Sequence, residues 1–160
     1  MMRITRALFL LVVISFSMSA TASEFFPPDY KQFPFKEGDL LTSQSSNGKY
    51  AVNKILKIDK VVIKQGQSIN IQGKSFVAPI EDHLLVVSTS YGAAEFQTIG
   101  EARAAAKAGR WKIEVGHVPT RAPGAAQGQT HLGHAPVTEA ELSGYRLWKA
   151  AFDGGKAGVF

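Results

Sequence analysis

The sequence contains no cysteine. Its absence excludes disulfide bonds, a thiol nucleophile, a thiolate metal site and lipid attachment through a cysteine after a leader. The G-x-S-x-G motif of a nucleophile elbow, the H-E-x-x-H motif of a zinc helix and a phosphate loop with its lysine are also missing. Packing must therefore stabilise the protein, and the common catalytic motifs give no lead to its function.

Long hydrophobic runs are scarce, and the clearest one lies at the start of the chain. Arg3 and Arg6 precede an apolar run at 7–16, and the small residues Ala-Thr-Ala follow at 20–22. This pattern predicts a secretory signal peptide at 1–22. A retained membrane anchor is the alternative, but the run has about half of the ~20 residues that span a bilayer. We therefore expect a periplasmic protein, with secretion to the medium as the alternative.

Positively charged residues are only slightly in excess of negatively charged ones. The formal net charge is +5, and loss of Arg3 and Arg6 with the leader lowers it to +3. A nucleic-acid-binding protein usually has a dense basic face, so nucleic acid is not an expected partner. After cleavage of the leader, no stable membrane insertion is expected either.

The segment at 23–36 is rich in proline and aromatic residues. Pro27, Pro28 and Pro34 argue against a helix and favour extended backbone. The segment also contains four phenylalanines and one tyrosine, which are too apolar to be left in water. We predict an extended arm packed over the domain; the alternative is a loose tail that holds a partner with its aromatic side chains.

Residues 37–160 are predicted to form a single domain whose first half consists of strands. The Asn47-Gly48 pair is typical of a two-residue type I′ hairpin turn. The run at 83–91 has the length and β-branched composition of a central strand buried on both faces. The predicted strands are 39–45, 49–58, segments of 61–77 separated by turns at Gln65-Gly66 and Gly73-Lys74, 83–91 and 111–115.

Two helices are predicted in the second half, at 99–108 and 139–152. Each begins at a possible capping box, Thr98 with Glu101 and Thr138 with Glu141. Gly144 inside the second helix suggests close packing there, because glycine disfavours a helix. The expected fold class is α+β: a twisted antiparallel sheet, in one version curled into an SH3-like, partly open barrel, with the two helices packed on it.

Three of the four histidines lie within eighteen residues, and two of them share a Gly-His-x-Pro motif. The spacing of His131 and His134 would suit two ligands of one metal ion, with His117 as a third. However, no carboxylate lies between Glu114 and Glu139 to orient a ligating histidine. These three residues therefore remain weak metal candidates; we predict no metal site and no cofactor.

The segment at 120–133 is predicted to be a long exposed loop between the last strand and the last helix. Loops of this length without secondary structure are usually functional or mobile, so a binding loop and a disordered connection are both open. Its polar side chains offer hydrogen-bond donors to a partner. The candidate partner-binding residues are Arg110, Arg121, Gln127, Gln129 and His131.

The stretch "EGDLLTSQSSNGKYAVNKILKID" at 37–59 resembles the opening strands of small immunity proteins of bacterial toxin systems. The resemblance rests on a Gly-Asp entry and on a hairpin whose second strand begins Gly-Lys-Tyr and carries Lys-Ile-Leu. It implies a non-enzymatic inhibitor that neutralises a toxin or an envelope-acting effector by surface binding. The alternatives are an envelope-associated structural or small-ligand-binding module and, third, a histidine-using hydrolase.

Overall fold

The structure is a computed structural model that describes residues 24–160, so the predicted signal peptide at 1–22 lies outside the described residues. The described part is a mixture of strands and helices, and the predicted α+β class is confirmed. No helix within it is long and apolar enough to cross a bilayer. The strands are β1 (Asp39–Gln44), β2 (Tyr50–Ile63), β3 (Ser68–Ile71), β4 (Lys74–Val77), β5 (Asp82–Phe96), β6 (Ile113–Arg121) and β7 (Thr130–His134), and the helices are α1 (Ile99–Lys107), α2 (Ala122–Ala126) and α3 (Ser143–Asp153).

Five strands form one antiparallel sheet in the order β6-β5-β2-β1-β7, and β3 and β4 form a separate hairpin. The long strands β2 and β5 pair from Tyr50 opposite Phe96 to Ile63 opposite Asp82. The predicted central strand at 83–91 lies inside β5, which has β2 on one side and β6 on the other. The sheet remains open, with β6 and β7 as its edges, so the barrel form is not found.

The turn between β1 and β2 differs from the predicted type I′ turn. Only Gly48 of the Asn47-Gly48 pair has a positive φ, of 81°. The Asn47 side-chain carbonyl accepts hydrogen bonds from the Lys49 N–H and the Ser45 hydroxyl, which fixes a longer turn from Ser45 to Lys49. A two-residue turn with positive φ at both positions is found between β3 and β4, at Gln72 (52°) and Gly73 (76°).

The helices cover both faces of the sheet. Consecutive residues of a strand point to opposite faces. Leu40 of β1 accordingly packs in a cluster with α1, and Leu41 packs in a cluster with α2. In the same way, Val86 of β5 packs in a cluster with Trp148 of α3, whereas Val87 packs with α2. It follows that α1 and α3 share one face and α2 lies on the other.

The two predicted helices are present with one shifted boundary. Helix α1 begins at the predicted cap, where Thr98 Oγ1 accepts a hydrogen bond from the Glu101 N–H. At the second cap, Glu141 accepts from the Thr138 N–H at 2.7 Å, but residues 139–142 form a turn and α3 starts later, at Ser143. The Glu141 carboxylate also pairs with buried Lys54 of β2 at 2.8 Å, which ties this turn to the sheet before the helix begins.

The arm packs on the domain through one carboxylate. Asp82, at the start of β5, accepts hydrogen bonds of 2.8 Å from the backbone N–H groups of Phe25 and Phe26, and the Lys31 ammonium lies 2.8 Å away. The Phe26 side chain is only 4% exposed. The prediction that the arm contains no helix is wrong at Pro28–Lys31, which forms a 3₁₀ turn; a proline fits the first position of a helix because its missing N–H would be unpaired there anyway.

We predict that Asp82→Ala destabilises the protein by about 2 kcal/mol at neutral pH, because the N–H groups of Phe25 and Phe26 lose their acceptor and Lys31 keeps only its ion pair with Glu24. Burial alone would raise the pKa of Asp82, but Lys31 and the backbone N–H groups outweigh it and hold that pKa well below its usual range. A folded pKa below the unfolded one stabilises the protein above about pH 4, and this contribution is lost as the pH falls further. Urea unfolding at several pH values measures both effects. The exposed neighbour Glu81→Ala is the control, and equal loss in both variants would contradict the prediction.

A second prediction concerns the contact between α3 and β6. A Cβ atom on Gly144 would lie 2.6 Å from the Cβ atom of His117, whereas a Cβ on Gly100 of α1 meets nothing closer than 3.7 Å. Alanine favours a helix over glycine by up to about 1 kcal/mol. We therefore expect Gly100→Ala to be neutral or stabilising and Gly144→Ala to be destabilising, as measured by thermal unfolding. Stabilisation by Gly144→Ala would show that the two elements are not in close contact.

Candidate functional site

A pocket of about 290 Å³ opens where the arm, the β3–β4 hairpin and the end of β6 meet. We call it the arm pocket. Its walls are mainly aromatic and apolar, with two cationic side chains. The lining residues are Phe25, Phe26, Pro27, Tyr30, Ile71, Gln72, Lys74, Phe76 and Arg121.

One wall is formed by the arm. The prolines and the 3₁₀ turn bring Phe26 and Tyr30 together, and their rings stack with centroids 5.8 Å apart. The Phe25 ring lies 4.8 Å from that of Phe26 in a tilted arrangement. Such contacts add to the stabilisation that burial of the rings gives, so this wall is held in place before any ligand binds.

The facing wall is formed by the β3–β4 hairpin. The tight turn at Gln72-Gly73 directs β4 back along β3, and every residue of β4 is exposed. Phe76 is 40% exposed and its neighbour Val77 64%. An apolar strand surface of this kind next to a pocket is typical of a binding site.

Arg121 lies at the end of β6, directly before α2, and its side chain reaches the arm wall. Its guanidinium carbon lies 5.4 Å from the centre of the Tyr30 ring, within the range of a cation–π interaction. Its Nε atom is buried and has no hydrogen-bond partner among residues 24–160. No carboxylate of the described residues forms an ion pair with Arg121 or with Lys74. The arm pocket therefore has two positive charges and no compensating negative one among its lining residues.

His131 and His134 lie on β7 and share a carboxylate that comes from β1. Asp39 Oδ1 is 3.4 Å from His131 Nε2 and 3.2 Å from His134 Nδ1. Burial alone would raise the pKa of Asp39, but the Lys36 N–H and the two imidazoles outweigh it and lower that pKa. The sequence argument that no carboxylate is available to these histidines is thus wrong, because β1–β7 pairing brings Asp39 opposite His134.

His117 is not part of this cluster. It lies on β6, at the other edge of the sheet, four strand spacings or about 19 Å from β7. Its Nε2 is 2.9 Å from Ser88 Oγ, and its ring packs against Trp148 of α3. Burial lowers the pKa of His117. Ser88 is 0% exposed, so its hydroxyl is closed to a substrate in this arrangement. No group of three histidine or acidic side chains in residues 24–160 is arranged to hold a metal ion.

The prediction of an exposed loop at 120–133 is wrong, because this segment contains α2 and nearly all of β7. Ala122 and Ala125 of α2 are buried against the sheet, and β7 pairs with β1. Gln127 ends α2 and is exposed, whereas the Gln129 side chain accepts a hydrogen bond of 3.1 Å from buried Asn53. Gln129 therefore has a structural partner within the domain.

Of the predicted partner-binding residues, the structure places only Arg121 in the arm pocket. Arg110 follows α1 and lines a different surface cavity with Phe96 and Glu101. His131 and Gln129 lie on or beside β7. Sequence reasoning missed the wall formed by Lys74 and Phe76; the tight turn at 72–73 was the signal that this short hairpin projects from the sheet.

The histidine cluster gives a third prediction. Asp39→Ala removes the acceptor that the Lys36 N–H and both imidazoles share, so we expect a loss of about 2 kcal/mol in the free energy of unfolding at neutral pH. In NMR spectra, the ring signals of His131 and His134 should shift while that of His117 stays. Asp29→Ala on the exposed 3₁₀ turn is the control. Unchanged ring signals for His131 and His134 would contradict the shared contact.

The chain matches no protein-family model, no curated protein and no solved structure. Its function must therefore be argued from its own residues and their arrangement.

Proposed function

We propose that this protein is an exported, non-enzymatic binding protein that recognises a partner protein through the arm pocket. The observation that carries the proposal is the Arg121 side chain, which is held against the Tyr30 ring without an ion-pair partner in residues 24–160. The positive charge of Arg121 is therefore uncompensated within the described residues. A partner that brings an anion to the pocket would supply the missing charge.

The surroundings of the pocket support a protein partner. Arginine and aromatic side chains in well-packed pockets contribute most of the binding energy of interfaces. Phe76 lines the pocket and is 40% exposed, so it offers an apolar contact beside the two cations. A stable complex needs about 800 Å² on each partner, so a partner would also contact surface outside the pocket.

The location and the biological role are part of the same proposal. The leader pattern at 1–22 supports a periplasmic location for the mature protein, with secretion as the alternative. The resemblance of 37–59 to immunity proteins suggests that the partner is a toxin or an envelope-acting effector, which the protein would neutralise by occupying its surface.

A small-ligand-binding module is the second candidate, and the size of the arm pocket favours it. A volume of about 290 Å³ lies at the lower limit of the range for small-molecule sites, about 300–1,000 Å³. The same aromatic and cationic walls would then hold a free molecule.

The test is co-expression with a secreted effector encoded beside this gene. We expect protection of the cells and a stable complex. Arg121→Ala should weaken the complex at least tenfold, or about 1.4 kcal/mol, because truncation of a central arginine removes a hot spot. Arg110→Ala is the matched control, since Arg110 lies at a separate cavity.

Two outcomes would contradict the proposal. One is that no effector encoded nearby forms a complex or is neutralised. The other is that Arg121→Ala and Arg110→Ala affect a complex equally, which would place the interface elsewhere on the domain. Isothermal titration calorimetry of the purified pair measures the affinity in each case.

A further inference from the structure

The chemistry of the arm pocket restricts what it can bind. Its aromatic residues are Phe25, Phe26, Tyr30 and Phe76, and its only charged lining residues are Lys74 and Arg121. A neutral apolar ligand would cover the charges of Arg121 and Lys74, which have no ion pair in the described residues, without compensating them. A small anion without an apolar part would leave the aromatic walls in contact with water.

We propose that the arm pocket binds an apolar group, preferably an aromatic ring, that carries a carboxylate. The inference rests on the proposed binding function and names the chemical class that the site takes. The ring packs between the arm wall and Phe76, and the carboxylate accepts hydrogen bonds from Arg121 with Lys74 as a second cation. The group is either the carboxyl-terminal residue of a peptide or a free aromatic acid, since both present the same chemistry.

A carboxylate fits this arrangement better than a phosphate. The planar guanidinium donates two parallel hydrogen bonds to a carboxylate, and its weak hydration allows it to act in an apolar setting. A phosphate carries up to two charges and three free oxygens, and besides Arg121 and Lys74 the lining side chains offer it only the neutral Tyr30 hydroxyl and Gln72 amide as donors. Phosphate sites are usually lined by backbone N–H groups of glycine-rich loops or helix starts.

The size of the pocket suits a small ligand. Small-molecule sites commonly have volumes of about 300–1,000 Å³, and the arm pocket is at the lower limit with about 290 Å³. A larger ligand would extend beyond its walls. Edge and face contacts with the tilted Phe25 and Phe26 rings and with Tyr30 favour a flat ring over a branched aliphatic group.

The test compares phenylacetate with phenylacetamide, which has the same ring and shape but no charge. We titrate each probe into the folded protein and follow the NMR signals of the arm and the hairpin. Phenylacetate should bind at least tenfold more tightly than the amide, and the signals of Tyr30 and Phe76 should move. Inorganic phosphate and benzylamine should bind at least tenfold more weakly than phenylacetate.

Two variants connect the preference to the proposed contacts. Arg121→Gln should reduce phenylacetate binding to the level of the amide, while Arg110→Gln leaves it unchanged. Lys74 is exposed and has no ion pair in the described residues, so Lys74→Gln should fold normally and weaken phenylacetate binding several-fold. This second variant keeps the test decisive if loss of Arg121 unfolds the arm.

Short peptides that end in phenylalanine, with a free or an amidated carboxyl terminus, distinguish the two sources of the ligand. A free-acid peptide that binds more tightly than phenylacetate supports a peptide ligand, whereas equal or tighter binding of phenylacetate supports a free acid. Equal binding of acid and amide probes, or binding that neither Arg121→Gln nor Lys74→Gln alters, would overturn the inference. If the carboxylate probes fail but the effector complex still depends on Arg121, the inference about the ligand class is wrong and the proposed function stands. If phenylacetate binds but no effector does, the proposed protein partner is wrong and the inference about the ligand class stands.

Discussion

The arm pocket depends on a single buried carboxylate. Asp82 accepts two backbone N–H groups of the arm and the Lys31 ammonium, so it fixes both the direction of the arm and the position of the 3₁₀ turn that follows. Hydrogen bonds to an ionised acceptor are roughly twice as strong as neutral ones. Without the hydrogen bonds to Asp82, burial of Phe26 would be the main contact of the first residues of the arm. The distance between the Tyr30 ring and the Arg121 guanidinium would then not be fixed. The arm pocket therefore depends on a contact between residues 56 positions apart in sequence.

The order of the strands decides which polar residues can act together. Because β6 and β7 are opposite edges of the sheet, the repeated Gly-His-x-Pro motif places its two histidines in unrelated environments. His117 packs under α3 beside a buried serine, and His134 contacts Asp39 near the surface. The two copies of the motif therefore differ in chemistry, because strand pairing, and not the motif, determines the neighbours of each histidine.

Local signals predicted the fold well and the site poorly. The β-branched run inside β5 and the cap of α1 are determined by neighbouring residues, so both could be found from the sequence. Helix α2 is too short to show a periodic pattern, and β7 pairs with β1, about ninety residues earlier, so 120–133 lacked any local sign of structure. For the same reason, the sequence does not show that Asp39 lies beside His131 and His134. The sequence indicates Arg121 as a hydrogen-bond donor within 120–133, but its aromatic neighbours come from the arm and the hairpin, and only the tertiary fold brings these together.

The Nε atom of Arg121 is buried and has no hydrogen-bond partner among residues 24–160. Buried polar atoms almost always have partners, so each exception calls for an explanation. The rest of the guanidinium is supported by the Tyr30 ring, so the side chain keeps its orientation without an ion pair that would neutralise it. The fold thus holds a positive charge against an aromatic ring without a carboxylate of the described residues to neutralise it. The proposed binding function depends on this combination, because a ligand with an apolar part and a negative charge would contact both groups at once.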